Sequence, residues 1–536
     1  MERRRKAEGK RARRTGRSSG RLNPAILFLA LLSVYLLVGQ GLVHIADPQG
    51  RAVNVTTSDA LIRMALSEQI LRYHRLYVPA DSRVGRMLPG DSLDPRRFSY
   101  FGIAKSLWNL PFMVLSEAIG RVVPPLRGNQ TFLVSFSNAP LAALMGVVLF
   151  LFLLDLGFSQ RVALLSVLVF GLATVTLTHA KYNVSETLAA LTLLLTVFHA
   201  FRFVRFRRGI DVLLSGVYLG ISVHTRPTAL LVIPLVLAYF LWSAWQEPAE
   251  RRRTWAQGLG LFLAMVLLFV ALQFAYNQYR YHHWWQFGYS LKGDRFLWNP
   301  GFLVHNLVAL LVSPGVGLFF YMPVLLFGWA GIRGLYRRHP RETVLLGALF
   351  LVYLGVHAAW WYWFAFYAGP RFLAQVHWVW IPFVAQILER WRRLKPIYRT
   401  LFWGAVAWGV GVNLLFLWAS PRRARYIRSV QAILQHQEVS PVPTLREIWN
   451  PLASPLAEQV AMIWDMKARR KIRVVRTPWI RTFFNTPNFW WLHYRHVHLP
   501  SWQIGLVVGL LLVLALWSWG HLLRVLGVIG PAPRSP

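Results

Sequence analysis

The sequence contains no cysteine. No disulfide can staple its outer segments, and thiolate chemistry and cysteine metal sites are excluded. Acidic residues are scarce as well, with 21 Asp and Glu against 59 Lys and Arg in 536 residues, a formal net charge of +38. Charged residues of both signs make up only 15% of the chain, whereas 55% is hydrophobic. That is too little charge and too much apolar surface for an ordinary soluble domain. An excess of positive charge invites a nucleic-acid reading, but no recognition motif accompanies it and its placement points elsewhere. The first 21 residues hold ten Lys or Arg, and other clusters, RFVRFRRG at 202–209 and RRR at 251–253, fall in short gaps between apolar runs. Loops retained on the cytoplasmic side of a membrane have this character. A basic tail beside a membrane also attracts anionic head groups.

What the chain has in quantity is apolar runs of about 20 residues, each long enough to cross roughly 30 Å of hydrocarbon. In lipid such runs must be helical, because no water satisfies the backbone. The fold class expected is an all-α polytopic membrane protein. Spans are expected near 24–44, 131–155, 162–178, 186–203, 210–224, 228–245, 257–276, 315–333, 343–360, 372–389, 400–419 and 503–524, about twelve in all. The first follows a basic region, as a signal peptide does, but GQGLVHIADP has no convincing small-residue cleavage site, so it reads as a retained anchor. Alternation of basic and non-basic short loops puts both termini inside. The 25 tryptophans suit a protein with many interfacial helix ends.

The expected organisation is a basic cytoplasmic tail at 1–23, a transmembrane module at 24–419 and a basic extracytoplasmic segment at 420–502. A last span and tail follow at 503–536. The outer segment carries 13 Lys or Arg against 4 Asp or Glu, which a long translocated stretch tolerates. The first outer loop, 45–130, stands out. In it Ile62, Leu66, Ile70 and Tyr73 or Tyr77 recur at helical spacing, predicting an amphipathic helix lying on the membrane. A second interfacial helix is expected over 102–122.

On this topology the unusual polar residues gather at outer span ends: Asp59, Glu68, Lys181, Tyr182, Glu186, His224, Arg226, His282, His283, Lys292, Arg295 and Arg371. Ionisable groups within a bundle are costly and tend to mark a site. Each has a plainer reading too. Asp59, after Thr57 and Ser58, also suits the first turn of a helix, where a carboxylate favours the macrodipole. Arg226 in HTRPTALL and Arg371 in AGPRFLAQ each open a span beside a proline. They are either interfacial arginines or forks for a phosphate. His282 and His283 are adjacent and point apart on a helix, with no third ligand at metal spacing, so no metal is expected. Asp91 and Asp94 lie in what reads as a solvated turn between Asp81 and Arg97. The sequons at Asn54, Asn129 and Asn183 all fall on the outer side.

Several stretches together resemble the polyprenyl-phosphate-dependent glycosyltransferases of the GT-C superfamily, which includes protein O-mannosyltransferases and lipid A aminoarabinose transferases. Bacterial family-39-like members look most similar. The stretches are SDALIRMALSEQIL (58–71), FSYFGIAKSLWNLP (98–111), HAKYNVSETLAALTLLL (179–195), HTRPTALLVIP (224–234), YNQYRYHHWWQFGYS (276–290), SPGVGLFFYMP (313–323) and WWYWFAFYAGPRFL (360–373). Each is weak alone; their order and spacing over residues 24–390 are specific. Residues 420–536 match in layout only.

The resemblance implies a GT-C-like bundle with an outward-facing cavity and a first-loop aspartate as base, here Asp59. It implies a bacterial plasma-membrane enzyme that moves a sugar from a polyprenyl-phosphate donor to a hydroxyl on a glycan, lipid or protein acceptor, with inversion and without a cofactor. Arg226 and Arg371, with Lys292 and Arg295, are the expected phosphate partners. Glu186 and Tyr289 are expected at the substrate, and the Trp284–Trp285 pair either contacts substrate or anchors at the interface. Members with an acidic pair at the base position differ from this chain, which has Ser58 before Asp59 and no Glu beside it. Metal use and acceptor type stay open at that point. The competing class is a transporter or lipid flippase, which would share many spans and buried charges. Transporters often carry repeated halves, and no internal repeat is evident here.

Overall fold

A computed structural model describes residues 22–40, 44–46, 52–54, 58–90, 94–123, 132–288, 300–360, 363, 369–419, 448–467, 487–497 and 500–528. Among these, strands are confined to two short antiparallel pairs in the first loop, His44–Ala46 with Ala52–Asn54 and Val78–Pro79 with Arg96–Arg97. Everything else that is regular is helical. The order begins with α1 (Pro24–Leu37), α2 (Ser58–Tyr73), α3 (Ala104–Val122), α4 (Asn138–Asp155), α5 (Gln160–Ala173) and α6 (Thr176–Lys181). It continues with α7 (Ser185–Phe206), α8 (Gly209–Thr225), α9 (Ile233–Trp245), α10 (Arg252–Tyr281), α11 (Pro300–Val312), α12 (Leu318–Tyr321) and α13 (Phe327–Arg338). Last come α14 (Pro340–Ala359), α15 (Ile381–Glu389), α16 (Pro396–Trp418), α17 (Pro455–Lys467), α18 (Trp490–Val497) and α19 (Ser501–Leu526).

Seven helices, in places extended by a 3₁₀ turn, are long and apolar enough to cross a membrane: Leu133–Asp155, Ser185–Phe206, Pro227–Trp245, Arg252–Tyr281, Pro340–Ala359, Pro396–Trp418 and Ser501–Leu526. They coincide with seven expected spans. The expected spans at 24–44, 162–178 and 210–224 contain the shorter apolar helices α1, α5 and α8. The remaining two are broken. Around 315–333, α12 stops at Met322 and Pro323 opens a 3₁₀ turn; around 372–389, two 3₁₀ turns precede α15, which starts beside Pro382. Proline removes a backbone donor and crowds the preceding turn, so a run that is continuous in hydropathy need not be continuous as helix. The short α11 is also apolar, over Phe302–Val312.

Local chemistry sets the helix ends. Asn23 accepts a hydrogen bond from the Ala25 amide at 2.9 Å with Pro24 behind it, and Ser159 accepts from the Val162 amide at 3.3 Å. Arg207 ends α7 in the left-handed region, φ 59°. Burial varies widely among the long helices. In α7, 89% of the apolar window is buried, against 11% in α19, so α7 is an interior hub and α19 a peripheral helix facing outward. The hub packs on α8, which packs in turn on α10; α1 joins α4 to α19.

The two helices of the first loop form as the sequence predicts, but they sit differently from one another. The first half of α2 is enclosed on all sides, with Ala60, Leu61, Ile62, Arg63, Met64, Leu66 and Ser67 all buried. It is a packed element, not one simply laid on a surface. In α3 the pattern is inverted: Lys105, Ser106, Asn109 and Ser116 are buried, while Leu107, Val114, Leu115 and Val122 are exposed. A helix at a lipid interface has this arrangement, with its apolar side toward acyl chains and its polar side toward protein. The serines of the two helices join them. Ser67 Oγ donates to the Arg63 and Ser106 carbonyls at 2.7 and 2.9 Å, and Ser106 Oγ donates to the Arg63 carbonyl at 3.1 Å.

Candidate active site

Between α6 and α7 the chain leaves the helix for three residues, Tyr182–Val184, and exposes carbonyls that need donors. Asn138, at the start of α4, supplies them. Its Nδ2 donates toward the carbonyls of His179, Tyr182 and Val184 at 3.1, 2.6 and 2.9 Å. The break therefore holds its shape and delivers Glu186 into the first turn of α7, where the helix macrodipole favours a carboxylate. Glu186 is fully buried.

Two arginines close on that carboxylate. Arg226, at the end of α8, donates from Nη2 to Glu186 Oε1 at 2.6 Å and to Ser185 Oγ at 3.2 Å. Arg371 donates from Nε to the same Glu186 oxygen and from Nη2 to Asp59 Oδ2, the latter at 2.6 Å. Its backbone is aimed by the preceding Gly369, whose φ of +91° suits glycine and which lies against the Tyr321 ring. Tyr321 is held in turn by its hydroxyl, which donates to the Pro314 carbonyl at 2.9 Å. On the other flank Gly102 touches the end of α8; a Cβ there would lie 2.0 Å from the His224 carbonyl oxygen. Phe372 packs under both guanidiniums, 5.7 Å from Arg226 and 5.9 Å from Arg371.

Asp59 is thus the first-loop end of a chain of charges that runs through Arg371 and Glu186 to Arg226. Its side chain retains 21% exposure, against 0% for Glu186. Burial pushes the Asp59 carboxyl up, but Arg371 and then Arg63 outweigh it, and the net result lies below the ordinary carboxylate range. Asp59 is therefore ionised at neutral pH.

Of the other residues singled out from sequence, Lys292, Arg295 and Tyr289 lie outside the described residues, as do Asp91 and Asn129. Glu68 is half-exposed and stands 3.9 Å from Arg72; Asp94 is bound to Arg96 at 3.1 Å. Neither joins the cluster. His224 meets the Phe269 carbonyl at 2.9 Å, and His282 ends α10 in the left-handed region. Among the described residues no three His, Asp or Glu are grouped to hold a metal ion. Lys181 is buried and donates to the Leu417 carbonyl at 2.7 Å, tying α6 to α16. The sequon residue Asn183 is buried, with its amide donating to the Val134 carbonyl at 2.9 Å, so it is a packing element and not an accessible acceptor.

The sequence reading missed Arg63, Lys105, Asn109 and Asn138. Arg63 had a usable signal, because it stands one helical turn beyond Asp59 and so shares its face. Lys105 is fully buried, donating to Ser137 Oγ and Asn138 Oδ1 at 2.9 and 2.6 Å.

Residues 119–287 match the family model described as dolichyl-phosphate-mannose-protein mannosyltransferase, about a third of the chain, which includes Glu186 and Arg226. No curated protein sequence matches. Among solved structures, the chain is similar to apo ArnT from Cupriavidus metallidurans at 13% identity and a TM-score of 0.46, covering 93% of this chain and 77% of that one. It is similar to the apo oligosaccharyltransferase of Archaeoglobus fulgidus at 13% identity and a TM-score of 0.45, covering 78% of this chain. There it spans only 60% of the other chain's length. Residues 119–287 are thus similar to the protein mannosyltransferase family, one of the groups within the superfamily that the motifs over residues 24–390 resemble.

Proposed function

We propose that this protein is an inverting membrane glycosyltransferase that moves a sugar from a polyprenyl-phosphate donor to an acceptor hydroxyl on the extracytoplasmic side. The observation that carries the reading is the convergence of Asp59, Glu186, Arg226 and Arg371, from four separate parts of the chain, into one largely buried charge cluster. Burying so many charges is costly unless they are paired and used. The family match over 119–287 supports the reaction class.

In this mechanism the phosphate of the donor competes with the carboxylates for the planar forks of Arg371 and Arg226. As Arg371 turns to phosphate, Asp59 is released to accept. The acceptor oxygen attacks the anomeric carbon, its proton passes to Asp59, and the bond from that carbon to the phosphate oxygen breaks with the electron pair leaving on the lipid phosphate. Charge grows on the phosphate as the bond breaks, and the guanidiniums, engaged with it since the donor bound, stabilise it. Phosphate leaves readily, so no general acid is needed. Glu186 keeps the two arginines oriented. Lys292 and Arg295 would add positive charge at the mouth, and Tyr289 would contact sugar.

The same reading places about twelve spans in a GT-C-like bundle, a module at 24–419 and both termini in the cytoplasm. The helix ends opposite the cluster support it, because they carry the arginine-rich turns 205–208, 251–253, 337–341 and 390–393. The test is incubation of the purified protein with a panel of undecaprenyl-phosphate-linked hexoses and pentoses, following release of undecaprenyl phosphate. Release from one or a few donors is expected. A purified, folded protein that releases none of them but moves intact lipid-linked sugar between the two leaflets of a vesicle would favour the flippase reading instead.

A further inference from the structure

Arg63 is fully buried, yet its hydrogen bonds are few. Nη2 donates to the Asn183 carbonyl at 3.2 Å, while Nε and Nη1 have no partner among the described residues. Buried guanidinium N–H groups left without acceptors are expensive. The side chain is nevertheless fixed. Its guanidinium lies 4.7 Å from the centre of the Phe101 ring, and the helix beneath it is held because the Arg63 backbone carbonyl accepts from the hydroxyls of Ser67 and Ser106 at 2.7 and 3.1 Å. A buried cation held by one carbonyl and one ring, in the second turn of a loop helix, does not serve packing alone.

Asp59 lies one helical turn before Arg63, on the same face of α2. Asp59 and Glu186 are the carboxylates whose fields reach Arg63, and Arg371 and Arg226 are the opposing guanidiniums. Asp59 itself is faced by Arg371 from the 369–372 turn, Glu186 from α7 and Arg63 from its own helix. Of Asp59's two cations, only Arg371 has both a direct bond to it and a fork suited to a phosphate. Arg63 is anchored to Asn183 and Phe101, away from that exchange.

We infer that Arg63 is a positioning residue that holds Asp59 ionised, and on the correct face of α2, during the part of the reaction in which Arg371 is engaged by the lipid phosphate. Without it, Asp59 would face Glu186 with its main counter-charge diverted, and like charge together with burial would draw a proton onto it. This chain has a serine before Asp59 and no Glu after it. An in-helix arginine one turn on thus supplies an electrostatic support that does not depend on the donor. The inference rests on the reading of Asp59 as base.

The test compares wild type with Arg63→Met and Arg63→Lys, measuring turnover of the active undecaprenyl-phosphate donor against pH. Asp59 works only when ionised, so a cation that lowers its pKa keeps the enzyme active to lower pH. Removing that cation moves the acid limb upward, by about 1–3 pH units for a nearby opposite charge. Arg63→Met should show this shift in kcat, with donor KM changed less than about threefold, and Arg63→Lys should restore most of the acid limb. Where Arg63→Met does not fold, Arg63→Gln retains volume and a donor for Asn183 and carries the same expectation. An unmoved acid limb in a folded Arg63→Met or Arg63→Gln protein would overturn the inference, as would a loss confined to donor KM. Asp59→Asn, assayed alongside, separates the two levels: if it turns over normally, the base reading itself fails; if it is inactive while Arg63→Met keeps its acid limb, only the role of Arg63 fails.

Discussion

Two groups of charges stand at opposite ends of α7, roughly 24 Å apart at 1.5 Å per residue, and they are built on different principles. At the C-terminal end Arg202 pairs with Asp155 at 3.1 Å and with Asp211 at 3.3 Å, Arg207 pairs with Glu247 and, nearby, Arg338 pairs with Glu389. Apart from Asp211, these side chains are 19–48% exposed, a range that only Asp59 of the other group reaches, at 21%. At the N-terminal end one oxygen of Glu186 takes donors from both Arg226 and Arg371 in nearly complete burial. The first group is a boundary: arginines mark where helices end, and water screens them. The second has been taken out of water at considerable cost, and only a function or a tightly satisfied network sustains it. Buried charge, not abundant charge, marks the candidate site in a chain of net charge +38.

The contrast can be broken most sharply at Glu186. Glu186→Gln leaves the buried Arg226 without a carboxylate and Arg371 with Asp59 alone, and loss of one partner in such a network costs on the order of 3–5 kcal/mol. A large fall in thermal stability in detergent, with loss of donor turnover, is expected. A change no larger than that of an exposed pair would mean that the two ends of α7 do not differ energetically.

A smaller effect is expected from Arg226→Lys and Arg371→Lys. Both keep the charge and lose the planar fork. Donor KM should rise and turnover fall, with stability affected less than by Glu186→Gln. Unchanged donor use in both variants would remove these arginines from phosphate binding. The smallest effect belongs to the other end. Arg338→Ala, which loses a half-exposed pair with Glu389, should shift stability by about 0–1 kcal/mol and leave turnover unchanged.

The sequence carried the hydropathy of the long helices well, because an apolar run of sufficient length has only one fate in lipid. It was less informative where prolines interrupt a run, as at Pro323 and Pro382, since hydropathy does not register a missing backbone donor. It also named all four members of the charge cluster, from their positions at span ends and from the motifs around them. What it could not supply was their pairing. Asp59 and Arg371 meet across 312 positions, and no local pattern announces that contact. Nor does sequence separate a buried amide from an exposed one. Asn138, which satisfies the carbonyls that set Glu186 in place, and Asn183, the buried asparagine of a sequon, were legible only once the break between α6 and α7 was seen.

The most direct test of the account is Asp59→Asn, with donor binding and turnover measured on the same preparation. The substitution nearly preserves shape but removes proton acceptance, and loss of a positioned base typically costs on the order of 10²–10⁴ in rate. Asparagine also caps helices well, so a residue that merely opened α2 would tolerate the change almost silently. The account expects a protein that folds, binds the undecaprenyl-phosphate-linked sugar and transfers it poorly. Near-normal turnover in a folded Asp59→Asn protein would contradict it.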